Sequence, residues 1–346
     1  MKICIFTDNH FCSNSSIIRS KGEKYSTRLE NQIASLKWVN ELAVSKQCDQ
    51  LICLGDFFDS STLNSEELSA LKEIRWNDLP KKFIVGNHEM GSSDLTLNST
   101  NALSQLGDVI YQPTQQIGFG YRLIFLPYIL ETDRKPLKSY IWEATIDNWE
   151  TQEIKNTIIL SHNDIAGIRY GQWESKAGFS VDEIDESCDL FINGHLHNQS
   201  QINEKILNLG NLTGQNFSED AFKYSHCAAI LDTTTMKVEL INNPYAFNFY
   251  KLEPIDLDDL LNKIGNLDNS NSIATVKICA KDIDQARMIC DKYLKEYRLI
   301  SVMDKVVTSA ESSQIINVDH IEQFKQYVVN KIGSSEILIE ELDNLK

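Results

Sequence analysis

Five times in this sequence a run of apolar residues stops at a residue able to hold a metal ion or move a proton. Ile3 to Phe6 runs into Asp8-Asn9-His10, Leu51 to Leu54 into Gly55-Asp56 with Asp59 beyond, and Phe83 to Val85 into Gly86-Asn87-His88-Glu89. Ile158 to Leu160 runs into Ser161-His162, and Leu190 to Ile192 into Gly194-His195-Leu196-His197. Short continuous apolar runs are the mark of strands covered on both faces, and the carboxyl ends of such strands are where α/β sheets keep their chemistry. The expectation is an α/β fold whose strand ends meet, with Asp56 as the carboxylate the other residues surround.

The sequence between these runs fits that plan. Thr27 and Glu30 have capping-box spacing, and Leu29, Ile33, Leu36 and Ala43 mark one face of a helix running towards Ser45, a βαβ crossover back to the Leu51 strand. Asn64 and Glu67 mark a second box, and Pro80 ends that connection before the Phe83 strand. Strands are expected again at Val109, Tyr121, Ile158, Leu190, Ile206, Ala228 and Val238, with a helical segment over residues 140 to 149. Together these predict two mixed β-sheets sandwiched by helices over residues 1–253.

A boundary near Glu253-Pro254 leaves a small α/β cap over residues 254–303. There Ala274 to Cys279 and Leu299 to Val302 read as strands, and Ile283, Ala286, Ile289 and Tyr293 line a helix between them. Residues 304–346 read as a polar linker and a helical tail, with Ile321, Phe324, Val328 and Ile332 on one apolar face and Leu338, Leu342 and Leu345 on another.

Charge narrows the function. The balance of 33 basic against 49 acidic residues, −16, argues against a general nucleic-acid binder. The cap is the local exception, with Lys277, Lys281, Arg287, Lys292, Lys295 and Arg298 against Asp282, Asp284, Asp291 and Glu296. The eight cysteines form no Cys-x-x-Cys pair, and Cys4, Cys53 and Cys279 fall in strands, which suits buried thiols in a reducing compartment. No window approaches the roughly 20 apolar residues of a membrane span, and the first strand starts at once, so a cytoplasmic protein without a membrane association is expected.

Five of the seven histidines lie in the strand-end motifs. With Asp8, Asp56 and Asn87 they make a donor set of imidazole, carboxylate and amide oxygen without thiolate, suited to manganese, iron, zinc or magnesium in a hydrolytic centre and not to a closed structural zinc. Two divalent ions roughly 3.5 to 4 Å apart, bridged by one carboxylate, are the natural occupants, and Asp56 is the natural bridge. Counting only Asp8 and Asp56 as charged, the pair would keep about +2, a sink for a phosphate ester.

The order D-x-H, G-D-x-x-D, G-N-H-[DE], a lone His and G-H-x-H resembles the calcineurin-like metallophosphoesterases. The resemblance implies that Asp8, His10, Asp56 and His197 hold one ion, and that Asp56, Asn87, His162 and His195 hold the other. Manganese is the first candidate, with magnesium, iron and zinc as alternatives. It also implies that His88 is the catalytic histidine and Asp59 its orienting partner.

Within that superfamily, Gly55-Asp56-Phe57-Phe58-Asp59 is similar to the SbcD group, especially its tailed-phage form. Ser60-Ser61 and Val85 stand where the serine/threonine phosphatases would carry Arg-Gly and Arg. This resemblance implies a DNA exonuclease and endonuclease acting in repair and recombination on double-stranded ends and single strands. It further implies a cap that faces DNA with Lys277, Lys281, Arg287 and Arg298, a tail docked on an SbcC-type coiled-coil ATPase, and a homodimer, in the host cytoplasm if phage-encoded. A phosphatase or small-molecule phosphodiesterase using the same centre is the alternative. The chain departs from the family pattern at Phe11-Cys12, at Glu89 where Asp is usual, and at Gly210-Asn211-Leu212.

Overall fold

The computed structural model describes residues 1–14, 22–146, 153–170, 173–267 and 271–302. The expected linker and tail helices, Trp149, and the middle of the loop after His10 lie outside them.

Two six-stranded mixed sheets form the body of the protein. In the first, the order across the sheet is Lys237–Asn242, Cys227–Asp232, Lys2–Phe6, Gln50–Cys53, Lys81–Ile84, Asp108–Ile110. The last four run parallel, while Cys227–Asp232 is antiparallel to both of its neighbours. The second sheet repeats the plan with Ser200–Gln201, Ile206–Asn208, Leu190–Asn193, Asn156–Ser161, Tyr121–Leu126 and Thr114–Gly118, the middle four parallel and each edge strand antiparallel.

The unbroken apolar runs are explained by how their side chains divide. Successive side chains of a strand point to opposite faces. Ile3, Ile5, Ile52 and Leu54 therefore enter the core between the two sheets, where they join Leu123, Phe125, Ile158, Leu160 and Ile192. Cys4, Phe6, Leu51 and Cys53 point the other way, into a second core under the helices. Ile124, Leu126, Ile159 and Phe191 do the same on the outer face of the second sheet, under the Leu137–Thr145 and Val181–Asp185 helices. Each strand thus feeds two cores, and each fully buried Phe or Ile contributes about 1.5–3 kcal/mol.

The Thr27–Ser45 helix covers the first sheet with Leu29, Ile33, Leu36, Val39 and Ala43. Its cap is Ser26, one residue earlier than the spacing suggested: Leu29 N donates to Ser26 Oγ at 3.2 Å, while Glu30 accepts from the backbone of Lys24 and Tyr25. The second box forms as read, with Glu67 N donating to Asn64 Oδ1 at 2.9 Å and Asn64 N to Glu67 Oε2 at 3.0 Å.

After the sheets the chain builds a separate layer of three parallel strands, Asn248–Leu252, Ser272–Cys279 and Glu296–Val302. The Leu257–Gly265 and Ile283–Tyr293 helices cover one of its faces, around Leu252, Leu260, Ile264, Val276, Ile278 and Ala286. The first of these strands precedes Glu253-Pro254, so the sheet draws on sequence read as part of the larger body. Its half-polar run Asn-Phe-Tyr-Lys-Leu carries no local mark of the strand it joins. No helix among the described residues is long and apolar enough to cross a membrane.

Candidate metal centre

The strand ends converge because their loops zip together. Asp8 N donates to Gly55 O at 3.0 Å, His10 N to Asp56 O at 3.0 Å and Phe11 N to Phe57 O at 2.7 Å, so the first two motifs leave the sheet side by side. Asp8, His10, Asp56 and His195 all have positive φ, between 46° and 74°. Each such residue costs about 1–2 kcal/mol, a strain that surrounding structure must hold in place. Two glycines explain the closeness. A Cβ on Gly86 would lie 2.2 Å from Asp56 Oδ1, and one on Gly194 would lie 2.2 Å from Thr7 Oγ1, so neither motif tolerates a side chain there.

The donor atoms form two groups that share Asp56. In the first, His10 Nε2 lies 3.1 Å from His197 Nε2 and 3.8 Å from Asp8 Oδ1, with His197 Nε2 3.9 Å from the same oxygen. In the second, Asn87 Oδ1 lies 3.3 Å from His162 Nε2 and 2.9 Å from His195 Nδ1. Asp56 Oδ2 stands 3.1 Å from His162 Nε2 and 3.9 Å from His10 Nε2, within reach of both groups. Asp8, His10 and His197 bring donor atoms within 4.8 Å of one another, as do Asp56, His162 and His195. Asp8 Oδ1 is buried without a hydrogen-bond partner, the condition of a ligand atom whose natural partner is a cation. All seven residues expected to hold metal are therefore in one place, and their chemistry fits a two-ion centre.

His88 sits at the edge, 40% exposed, with its ring centroid 4.6 Å from that of His10. Its backbone N–H donates to Asp56 Oδ1 at 3.0 Å. Asp59 meets two of the histidines. Its carboxylate reaches His10 Nδ1 at 3.0 Å and stands 3.6 Å from His88 Nδ1, while its backbone carbonyl accepts from His88 Nδ1 at 3.1 Å. The zipped loops lay Asp59 over His10, so the carboxylate orients that histidine and the peptide group orients His88.

Two outer carboxylates escaped the sequence reading. Glu219 Oε1 lies 2.9 Å from His197 Nδ1, and Asp164 Oδ1 lies 3.4 Å from His195 Nε2. With Asp59 on His10, three of the histidines have an acid behind them, which orients the ring and makes it a stronger donor. Asp164, two residues past His162 at a strand end, was open to detection; Glu219 lies in a polar loop without any local signal. The count of about +2 on the ion pair therefore overstates the positive field, because it omits these three acids.

Burial penalises charge throughout this cluster, yet the opposite charges win. Asp59, Asp8 and Asp56 lift His10 to about 10 against its burial, and Asp56 and Asp8 lift His162 to about 9. Asp56 is also buried, but His162 and His10 lower it to about 2. Glu89 moves the other way: burial, then the charge of Asp56, push it up to about 7. It accepts from Gly86 N at 2.8 Å and Phe58 N at 3.1 Å, a structural part that the longer Glu fills in place of the usual Asp. Phe11, at another of the three departures, is buried against Phe57 and Phe58 at ring distances of 6.0 and 6.1 Å.

The family profile of calcineurin-like phosphoesterases matches residues 1–199, more than half of the chain. The chain belongs to this family. No curated protein matches it. Similar solved structures include TT1561 of Thermus thermophilus, at 12% identity and TM-score 0.39 over 70% of this chain and 98% of that one. A dimetal phosphatase from Danio rerio aligns at 11% identity and TM-score 0.39 over 70% and 98% of the two chains. A metallophosphoesterase from Sphaerobacter thermophilus aligns at 14% and 0.31 over 70% and 88%. As a calcineurin-like phosphoesterase the protein is a metal-dependent hydrolase with a dimetal site.

The four basic residues expected to meet DNA do not share a surface. Lys277 and Arg298 alternate with the core positions Val276, Ile278 and Leu299, and so stand on the face of the three-stranded sheet opposite its helices. Lys251, paired in register with Thr275 and hence with Arg298, joins them there. Lys281 lies in the turn before the Ile283–Tyr293 helix, and Arg287 lies on that helix beside Asp284.

Proposed function

We propose that this phosphoesterase is a DNA nuclease of the SbcD type. The observation that carries the proposal is the three-stranded layer after the phosphoesterase body, whose helix-free face presents Lys251 and Arg298 beside Lys277, the last paired with Glu253 at 3.1 Å, in an otherwise acidic protein. Phosphate contacts from such residues position a nucleic acid without reading its sequence. Ser60, Ser61 and Val85 leave the centre without the arginines of the serine/threonine phosphatases.

Two divalent ions, manganese the first candidate, would be held by Asp8, His10, Asp56 and His197 and by Asp56, Asn87, His162 and His195, and would supply Lewis-acid polarisation and an activated water. The protein's own residues do the rest. Asp8 and Asp56 carry the negative charge of the ligands themselves, Asp59, Asp164 and Glu219 add theirs behind the histidines, and Asn87 adds a neutral oxygen. Since a carbonyl oxygen only accepts, His88 Nδ1 carries a hydrogen towards Asp59 O and leaves Nε2 free to meet the substrate; with the ring in its imidazolium form, Nε2 would give its proton to the departing oxygen and the ring would be left as the neutral Nδ1–H tautomer.

Manganese-dependent cleavage of end-labelled duplex and single-stranded DNA, run beside a generic phosphatase substrate, tests the reading. Turnover of the generic substrate with intact DNA would move the protein to the phosphatase alternative. His88→Ala is expected to retain two bound ions while kcat falls about 10²–10⁴-fold. His88 also lies in a donor group with His10 and Asp56, so loss of one ion in that variant, measured by metal analysis, would make it a ligand instead.

We further propose an SbcC-type ATPase partner that supplies the grip on DNA an acidic protein lacks, docked on residues 318–346, and a homodimeric assembly. A chain lacking 318–346 should still cleave short substrates but fail to co-purify with the ATPase, and retained co-purification would remove the tail from the interface.

A further inference from the structure

Glu219 is fully buried although it lies outside the matched residues 1–199. Its carboxylate is gripped from several sides. Oε2 accepts from Asn211 Nδ2 at 2.9 Å and from Gln215 N at 2.6 Å, and Oε1 accepts from Asn216 Nδ2 at 3.3 Å and faces His197 Nδ1 at 2.9 Å. The loop that carries it is pinned as well. Arg28 of the long helix donates to Gly214 O at 2.6 Å and also to Gln215 Oε1. On the other side Ala221 N donates to Phe249 O at 2.8 Å, and the Phe217 ring packs edge-on against Phe249 at 5.1 Å.

A carboxylate only accepts, so this contact requires a hydrogen on His197 Nδ1 and leaves Nε2 as the lone pair. Nε2 is the atom that faces His10 Nε2 at 3.1 Å and Asp8 Oδ1 at 3.9 Å. We propose that Glu219 is a positioning residue for the first metal site: it selects the tautomer of His197, aims its ring and strengthens its Nε2 as a donor. The inference rests on the dimetal reading above.

Two measurements test it, the first without any metal. In protein labelled with 15N-histidine and stripped of ions, His197 is expected as the Nδ1–H tautomer; an Nε2–H tautomer would overturn the proposal. In the second, manganese is titrated calorimetrically into the wild type, Glu219→Gln, His197→Ala and the double variant. Glu219→Gln should weaken one of the two ions about 10- to 100-fold and spare the other. It should add nothing further in the His197→Ala background, because it acts through that ring. Equal weakening of both ions, or losses that add in the double variant, would show Glu219 to be a general structural support and not a positioning residue. A wild type that takes up neither manganese nor magnesium, iron or zinc would sink the dimetal reading, and the tautomer measurement would still decide the role of Glu219.

Discussion

Asp56→Asn is expected to lower phosphoester hydrolysis by about 10³-fold or more while leaving the fold intact. Asp56 Oδ2 lies within reach of both donor groups, 3.1 Å from His162 Nε2 and 3.9 Å from His10 Nε2, so a single change weakens both ion sites. Removing one preorganised electrostatic contact from an active site typically costs about 10²–10³-fold, and this residue serves two ions at once. The fold should survive because Asn is isosteric, tolerates the left-handed backbone that Asp56 adopts at φ 46°, and keeps an oxygen for the His88 N–H now bound at 3.0 Å. Initial rates over a manganese series, with a melting curve for each protein, check the outcome. A variant retaining more than a tenth of the wild-type rate would show that Asp56 is not the shared ligand.

The second large effect concerns pH. The metal-free centre holds His10 at about 10 and His162 at about 9, both above the roughly 6.5 of an unfolded histidine. A pKa raised by folding contributes stability that is fully present below the unfolded value and is lost as pH rises through the folded one. The metal-free protein should therefore lose melting temperature as pH rises from about 6.5 towards 10. Acid acts on the same ion pairs from the other side. Asp56, lowered to about 2, gives its share above the unfolded carboxylate pKa of about 3.9 and loses it as pH falls through the folded value. Divalent ions must displace the imidazole protons, so metal affinity should climb over the same alkaline range, by up to about tenfold per pH unit for each proton released. Thermal melts at pH 6.5, 8 and 9.5 with and without manganese would read both trends. A metal-free melting temperature unchanged over that range would show that these histidines are already neutral at the lower pH.

The strand-end residues were legible because each motif is local. The alternation of Ile3 and Ile5 with Cys4 and Phe6 follows from chain geometry over a few residues, whereas the need for glycine at Gly86 and Gly194 comes from the close approach of Asp56 and Thr7, far away in the chain. The same locality limited the reading of caps. The Asn64 and Glu67 box formed as spaced, whereas Ser26, which has Leu29 and not an acid three residues on, displaced Thr27 as the cap of the long helix because its hydroxyl accepts from Leu29 N where the backbone path starts the helix.

What the sequence determined by itself is the α/β class, the two-sided burial of the strands, the family, and the identity of the donor atoms brought to one end of the sheets. Periodicity and short spacings encode these, and burial of apolar faces enforces them. What only the tertiary structure decided is which acid stands behind which histidine: Asp59 behind His10, Asp164 behind His195 and Glu219 behind His197. It also separated Lys277 and Arg298 from Lys281 and Arg287, and recruited Asn248–Leu252 into the small sheet. Those choices depend on distance in space between segments far apart in the chain, and a hydrogen bond or a shared face forms only after packing has set that distance.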